Sequence, residues 1–410
     1  MRFRSRAAVA LSLCLVLGSG CALIAGIDSI PYGRDAGSPQ DAATDQDVAT
    51  SPDGDSASDD VVVLNEGGAA DGAVDAPPEV AGCNPATLAS DDRNCGRCGH
   101  DCLGSECKLG VCQPLFLLTS LIHPGAIVAS DDYVYWIDDV VGKVSRTTKV
   151  LPAFEDVLEH TTLPPSDLAV DATYVYYTAY SDPPDMLGGV NRVPKDHSGG
   201  VVSLITGISA VAKLATTDSF VFCTAGDTPA QVIRSPKDQP GAEVVFTGLT
   251  EDGGIASQFL GIAADDLYVY VTDIGQNLLW RARQAPSNER PVRLTRTGDR
   301  TTSIVVDNDY IYWADIGNLY RTPRSMPFGN PDVLATAHVT AIAVDSSDIY
   351  FVTNEIVPGS ANRGGISRLP RVGFSRPEEV SGGWGLIDGM AIDDRAIYFT
   401  TSGKIVKLAK

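Results

Sequence analysis

Five histidines occur in the 410 residues, and two of them, His123 and His338, occupy equivalent places in a chain that repeats itself. Imidazole titrates near neutral pH and is the commonest metal ligand, so a histidine pair beside a fixed cation could serve as general base and charge clamp. Arg300 supplies that cation at the same place in a third copy. The plainer alternative is two solvated loop histidines. Cysteine is the other reactive class, with Cys83, Cys95, Cys98, Cys102, Cys107 and Cys112 crowded together. So short a segment cannot build a core, and the even count argues for three disulfides in an exported protein. The alternative is zinc, since Cys95 and Cys98 have ligand spacing and His100 lies close by. Cys223 has no basic neighbour to activate it and reads as an inert packing thiol. Trp384, set among Gly382, Gly383 and Gly385, could stack on a sugar or an apolar side chain, or cap a channel. No nucleophile elbow, zinc-protease histidine pair, phosphate loop or dinucleotide glycine pattern is present. No cofactor is called for, and a net charge of −21 argues against a nucleic-acid partner.

A repeat must position these side chains. Its anchors are Tyr135, Tyr176, Phe222, Tyr270, Tyr312, Tyr350 and Tyr398, at intervals of roughly 38 to 48 residues, the size of a four-stranded propeller blade. Five residues before each anchor stands a short oxygen-bearing side chain: Ser130, Asp171, Thr217, Asp265, Asp307, Asp345 or Asp393. Such residues bond a turning backbone and mark a hairpin between a first and a second strand. A third strand closes on a base in every copy (Arg146, Arg192, Arg234, Arg281, Arg321, Arg368, Lys407), with a second base three residues on except at Gln284. A ladder this regular is expected on solvated blade surface. A fourth strand follows in six copies; the seventh lacks one, while 115–120 (LFLLTS) precedes the first copy as an orphan. The expectation is an all-β, seven-bladed β-propeller of four-stranded blades over 115–410, its ring closed by the N-terminal strand 115–120 completing the last blade.

Function should lie where copies differ. Twelve residues before the anchors come His123, Pro164, Ala210, Gln258, Arg300, His338 and Leu386, in the loops that lead from one blade to the next. The loops 249–258 and 381–388 stand out on the same face for glycine content and length.

The residues Tyr135-Trp136-Ile137-Asp138 and Tyr312-Trp313-Ala314-Asp315, with Val271-Thr272-Asp273 as a partial copy, resemble the YWTD repeat of low-density-lipoprotein-receptor propellers. That family has six blades and this chain seven copies, so the resemblance extends to the wider class that includes NHL and bacterial surface propellers. It implies that Asp138 and Asp315 tie neighbouring blades together. The histidine pair resembles that of lyase propellers acting on cyclic antibiotics.

Residues 1–20 read as a secretory signal, with Arg2, Arg4 and Arg6 before an apolar run and small residues before Cys21. The arrangement resembles a bacterial lipobox, although Gly18 stands where leucine is usual. It implies lipidation at Cys21, and Ala22 implies outer-membrane sorting. Residues 21–82 form an acidic linker, with twelve acids and no base between 35 and 80, too polar to order itself and extended by its own repulsion. Residues 83–114 form the disulfide-rich module, which resembles spacers ahead of propellers in bacterial surface lipoproteins. The chain is therefore expected at the cell envelope, as an outer-membrane lipoprotein or at the cell surface, or else secreted or periplasmic. It would be held to the membrane by its lipid, and would bind a protein or glycan without catalysis. The alternative is a lyase or hydrolase with His123, His338 and Arg300 at the channel mouth.

Overall fold

The computed structural model describes residues 83–180, 187–226, 229–248, 256–285, 289–301, 303–325, 327–355 and 362–410, all inside the compact unit 74–410. The segments expected to be a signal and an acidic linker lie outside them with Cys21, as does most of the loop 249–258.

Seven four-stranded antiparallel sheets follow one another along the chain. Blade one is Pro124–Ser130, Tyr133–Asp138, Lys143–Thr148 and Asp156–His160; blades two to six occupy 165–209, 211–247, 259–296, 303–336 and 339–384. Blade seven takes its first three strands from Ile387–Ile392, Ala396–Thr401 and Lys404–Ala409 and its outer strand from Leu115–Leu118. Leu115 pairs with Lys407, Phe116 with Val406 and Leu118 with Ile405. The ring is thus closed by the strand expected to do so, which ends at Leu118 because the chain turns through a positive φ at Ser120.

Each anchor sits in the second strand directly opposite the first base of the third strand, from Tyr135–Arg146 to Tyr398–Lys407. The seven anchor rings are at most 2% exposed. Burying a large side chain of this kind contributes about 2–3 kcal/mol, and their clusters join neighbouring blades. Leu117, Ile127, Trp136 and Tyr398, for instance, pack blade seven on blade one. Cys223 is fully buried in such a cluster, and burial pushes its thiol up to about 12, so it is an inert packing group.

The bases do not form a solvated ladder. In blades one to five the first base sits over the ring two residues before the anchor, for instance Arg146 over Tyr133 at 4.4 Å, Arg192 over Tyr174 at 4.3 Å and Arg281 over Tyr268 at 4.4 Å. The second base reaches back to the hairpin aspartate of the preceding blade. Lys237 meets Asp171 at 3.0 Å, Arg324 meets Asp265 at 3.0 Å, Arg371 meets Asp307 at 2.8 Å, Lys410 meets Asp345 at 2.7 Å and Lys149 meets Asp393 at 2.9 Å. In blade one Asp131 takes the role of Ser130 and meets Lys195 at 2.8 Å. The same aspartates make the turn, Asp171 accepting from the amides of Thr173 and Tyr174 and from the hydroxyl of Tyr176. An alternating strand cannot show this, because each partner is supplied by a different blade. At the remaining seam both positions are neutral, Thr217 facing the copy that carries Gln284.

The cysteine module is closed by Cys83–Cys98, Cys95–Cys107 and Cys102–Cys112. The sulfurs of Cys95, Cys102 and Cys112 lie close enough to share a metal, but all three are consumed in disulfides and offer no thiolate.

Candidate functional site

Strand alternation gives the disc two faces. The hairpin face carries the turns between first and second strands, the clamp ion pairs, and the loops leading into the outer strands. The module docks here, on blade seven: Arg395 bonds Asp101 at 3.1 Å, and the Lys407 ammonium donates to the carbonyls of Leu103 and Lys149. Leu103 also joins the apolar cluster of that seam.

The loop face carries the blade-to-blade linkers and the turns between second and third strands. The two kinds of segment are hydrogen-bonded to each other. Asp138, nearly buried, accepts the amides of Val140 and Val141 in its own turn and the amide of His123 in the incoming linker. Asp273 does the same for Gly275, Gln276 and Gln258. Asp315 bonds Gly317, Asn318 and the hydroxyl of Tyr320. These carboxylates therefore fix turns, and Asp138 and Asp273 also hold the chain arriving from the previous blade. At the ring closure Leu121 donates to the Gly403 carbonyl at 2.9 Å. Gly403 has φ +74°, and a Cβ there would come within 2.5 Å of the Leu121 oxygen.

His123 is the centre of a charged cluster at this seam. Its Nδ1 lies 2.6 Å from Asp139 Oδ1. With a carboxylate as acceptor this nitrogen carries the proton, which leaves Nε2 facing outward with no partner among the described residues. Burial works against charge on this ring, but the bond to Asp139 and the fields of Asp139, Asp388 and Asp138 outweigh it and raise its pKa. Asp388, on the first strand of blade seven, is near enough for its charge to act on His123. Solvent reaches it, yet it is walled in by protein, and that enclosure raises its carboxyl to about 6 against the opposing pull of His123. Around the dyad Ile122 and Val140 are 64% and 67% exposed, an apolar rim beside two titratable groups. The arrangement can hold and move a proton near neutral pH, or receive a cation against apolar walls.

The other expected residues stand elsewhere. His338 is exposed on blade six, its Nδ1 3.1 Å from the Asn354 carbonyl, in a shallow cleft of about 360 Å³ with Thr353 and Glu355. Arg300 is exposed in the linker into blade five and makes no side-chain hydrogen bond or ion pair among the described residues. No hydrogen bond joins any two of His123, His338 and Arg300. Trp384 does not stand on a free loop. It ends the outer strand Glu378–Trp384 of blade six, where its ring packs edge-on against Phe399 at 4.9 Å and Phe116 at 6.3 Å and its indole N–H donates to Ser381. It seals a seam because two strands of blade seven, Ala396–Thr401 and Leu115–Leu118, each offer it a ring, which the glycines around it gave no hint of. Conversely, Asp139 and Asp388 escaped the sequence reading. Each is the single acid at its place in the repeat, against Gly125, Ser166, Ala212, Leu260, Thr302 and Thr340 for Asp388, and that difference was the available signal.

No protein-family model matches the chain, and no curated protein matches it. Solved structures do. A catalytically inactive virginiamycin B lyase from Staphylococcus aureus, crystallised with quinupristin, is 17% identical, with 73% of this chain and 98% of that one covered and a TM-score of 0.53. A streptogramin B lyase gives 14%, 72%, 97% and 0.54 for the same measures. The WD40 propeller domain of Doa1 gives 14%, 73%, 97% and 0.50. Identities this low speak of fold alone, and together with the seven closed sheets they make this chain a seven-bladed β-propeller.

Proposed function

We propose that this protein is a surface-tethered, non-enzymatic binding or scaffolding module that recognises a protein or glycan through its loop face. The docking of the cysteine module on the hairpin face carries this reading. The module, which begins at Cys83, covers part of the hairpin face at blade seven, and the loop face is the one whose seams differ from blade to blade. Lipidation of Cys21 belongs to the same proposal, and labelling with a radioactive fatty acid tests it: the label is expected on the parent and not on Cys21→Ser. The face is tested by photo-crosslinking in cells with a crosslinking residue at Val140 or Ile122 on one face and at Phe154 or Phe374 on the other. A discrete adduct is expected from the first pair; adducts from the second pair alone would end the loop-face assignment.

A second reading rests on the His123–Asp139 dyad facing Asp388 and on the likeness to two lyases. In it Nε2 of a neutral His123 takes a proton from the substrate carbon beside the scissile bond, as a lyase would, or from an attacking water, as a hydrolase would, and protonated Asp388 gives a proton to the leaving group as that bond breaks. Turnover of a cyclic ester antibiotic, lost in His123→Ala and kept in His338→Ala, would favour it over simple binding. Equal turnover in parent and His123→Ala would remove it.

A further inference from the structure

The rim of blade four reverses the charge of the rest of the molecule. Between 281 and 300 stand Arg281, Arg283, Arg290, Arg293, Arg296 and Arg300 against two acids, Glu289 and Asp299, in a chain whose net charge is −21. Many bases elsewhere are committed: the clamp cations and the third-strand arginines of blades one, three, five and six lie 3.0 Å or less from a carboxylate, as does Arg283 within the rim, which bonds Glu289 at 2.7 Å. Arg290 and Arg296 are exposed and have no carboxylate partner among the described residues, although acids outnumber bases in the chain.

Arg296 borders a cleft, and Arg290 lies two residues before the strand that forms its wall. Arg293, Leu294, Thr295 and Arg296 on the outer strand Val292–Arg296 face Gly329, Asn330 and Pro331 of blade five across about 400 Å³. Thr295 Oγ1 donates to the Gly329 carbonyl at 3.0 Å and holds that loop against the strand. Phe328, one residue before the cleft wall, is 61% exposed. Guanidinium forks match carboxylate oxygens two at a time, main-chain carbonyls and amide side chains bond hydroxyls, and an exposed aromatic face stacks on a sugar ring. On an otherwise acidic disc the patch also steers an anion to itself.

We infer that the blade four–five rim is a binding site for an anionic polysaccharide, of the uronic-acid class, with the arginines on its carboxylates and Phe328 against a ring. The site is separate from the loop face and stands or falls independently of the function proposed for it. Binding of the intact protein to polygalacturonate oligomers, measured by calorimetry with the methyl ester of the same polymer and polyglutamate alongside, tests it. The acid form is expected to bind and the ester not, with affinity falling as salt rises. Arg290→Gln/Arg293→Gln/Arg296→Gln should weaken binding by about tenfold or more and Phe328→Ala by a few fold, while Arg363→Gln/Arg376→Gln changes nothing. All these side chains are on the surface, and melting curves confirm that each variant is folded; should the triple variant fail, Arg296→Gln and Phe328→Ala carry the same comparison. Failure of polygalacturonate to bind, equal binding of the ester, or equal loss in the control pair overturns the inference. So does polyglutamate binding as tightly, which would assign the rim to an acidic protein segment.

Discussion

The two faces of the disc are built by opposite rules. On the hairpin face six of the seven seams carry the same device, an aspartate that makes the turn of one blade and binds the base of the next. On the loop face nearly every seam differs, and one gathers His123, Asp139 and Asp388. Repetition marks what every blade needs in order to stack on its neighbour. Chemistry that a single ligand can use appears where the repetition fails, since a site needs one copy of each group and a ring of seven supplies too many.

That contrast can be broken first at the closure. Leu117→Asp places a charge in the cluster that joins the first and last blades, where Leu117 is 4% exposed. It should cost more than about 4 kcal/mol and abolish a single cooperative urea transition. If the variant unfolds like the parent, the borrowed strand does not hold the ring.

Acid is the next lever. Asp171, Asp345 and Asp393 are depressed to about 2: burial opposes the charge, but bonds from turn amides and from Lys237, Lys410 and Lys149 overcome it. A carboxyl with a lowered folded-state pKa stabilises the fold fully above its unfolded value and loses that contribution as pH falls toward the folded one. Stability should therefore be flat above about pH 4 and decline from there to about pH 2, on the order of 1–2 kcal/mol per aspartate. Urea midpoints measured at half-unit intervals check the window; a decline on acidification centred near pH 6 would rule out these aspartates as its source, and Asp388, whose carboxyl is raised, would act in the opposite sense.

A single clamp is smaller. Arg371→Ala removes contacts to Asp307 and Asp309 at 2.8 and 2.6 Å and leaves Asp307 unpaired, for a loss of about 1–3 kcal/mol. Gln284→Ala, at the neutral seam, should cost less than about 1 kcal/mol. Equal losses would mean that the charges add nothing to the stitching. Smallest of all, His123→Ala should leave stability within about 0.5 kcal/mol while moving the Asp388 carboxyl further upward, because the imidazolium that draws it down is gone. Carbon-detected NMR titration of Asp388 reads that shift, and an unmoved titration would show that the two groups do not interact.

Much of this could be read in advance, and the reasons for the rest are specific. The anchors, hairpin residues and orphan strand announce themselves because strand alternation and turn chemistry are local and recur at a fixed period. The bases misled: their spacing showed that they repeat, and only the register of adjacent sheets shows that they point into a seam. Trp384 misled in the same way, since Phe399 and Phe116 come to it from another blade and from the far end of the domain. His123 was found by its place in the repeat, but the partner expected for it was another histidine rather than the aspartates beside it.

The amino-acid order on its own determined the number of blades, their strand order and the disulfide-bearing segment, because each follows from the hydrogen bonds and burial of residues near one another in the chain, and the borrowed strand followed by count, since one copy lacks an outer strand and one orphan strand is left over. Which charges meet was decided only by the closed ring. Lys149 and Asp393 are 244 residues apart and touch at 2.9 Å, and the charges of His123 and Asp388 act on each other for the same reason: curvature brings the ends of the chain together, and no local pattern encodes an approach across that distance.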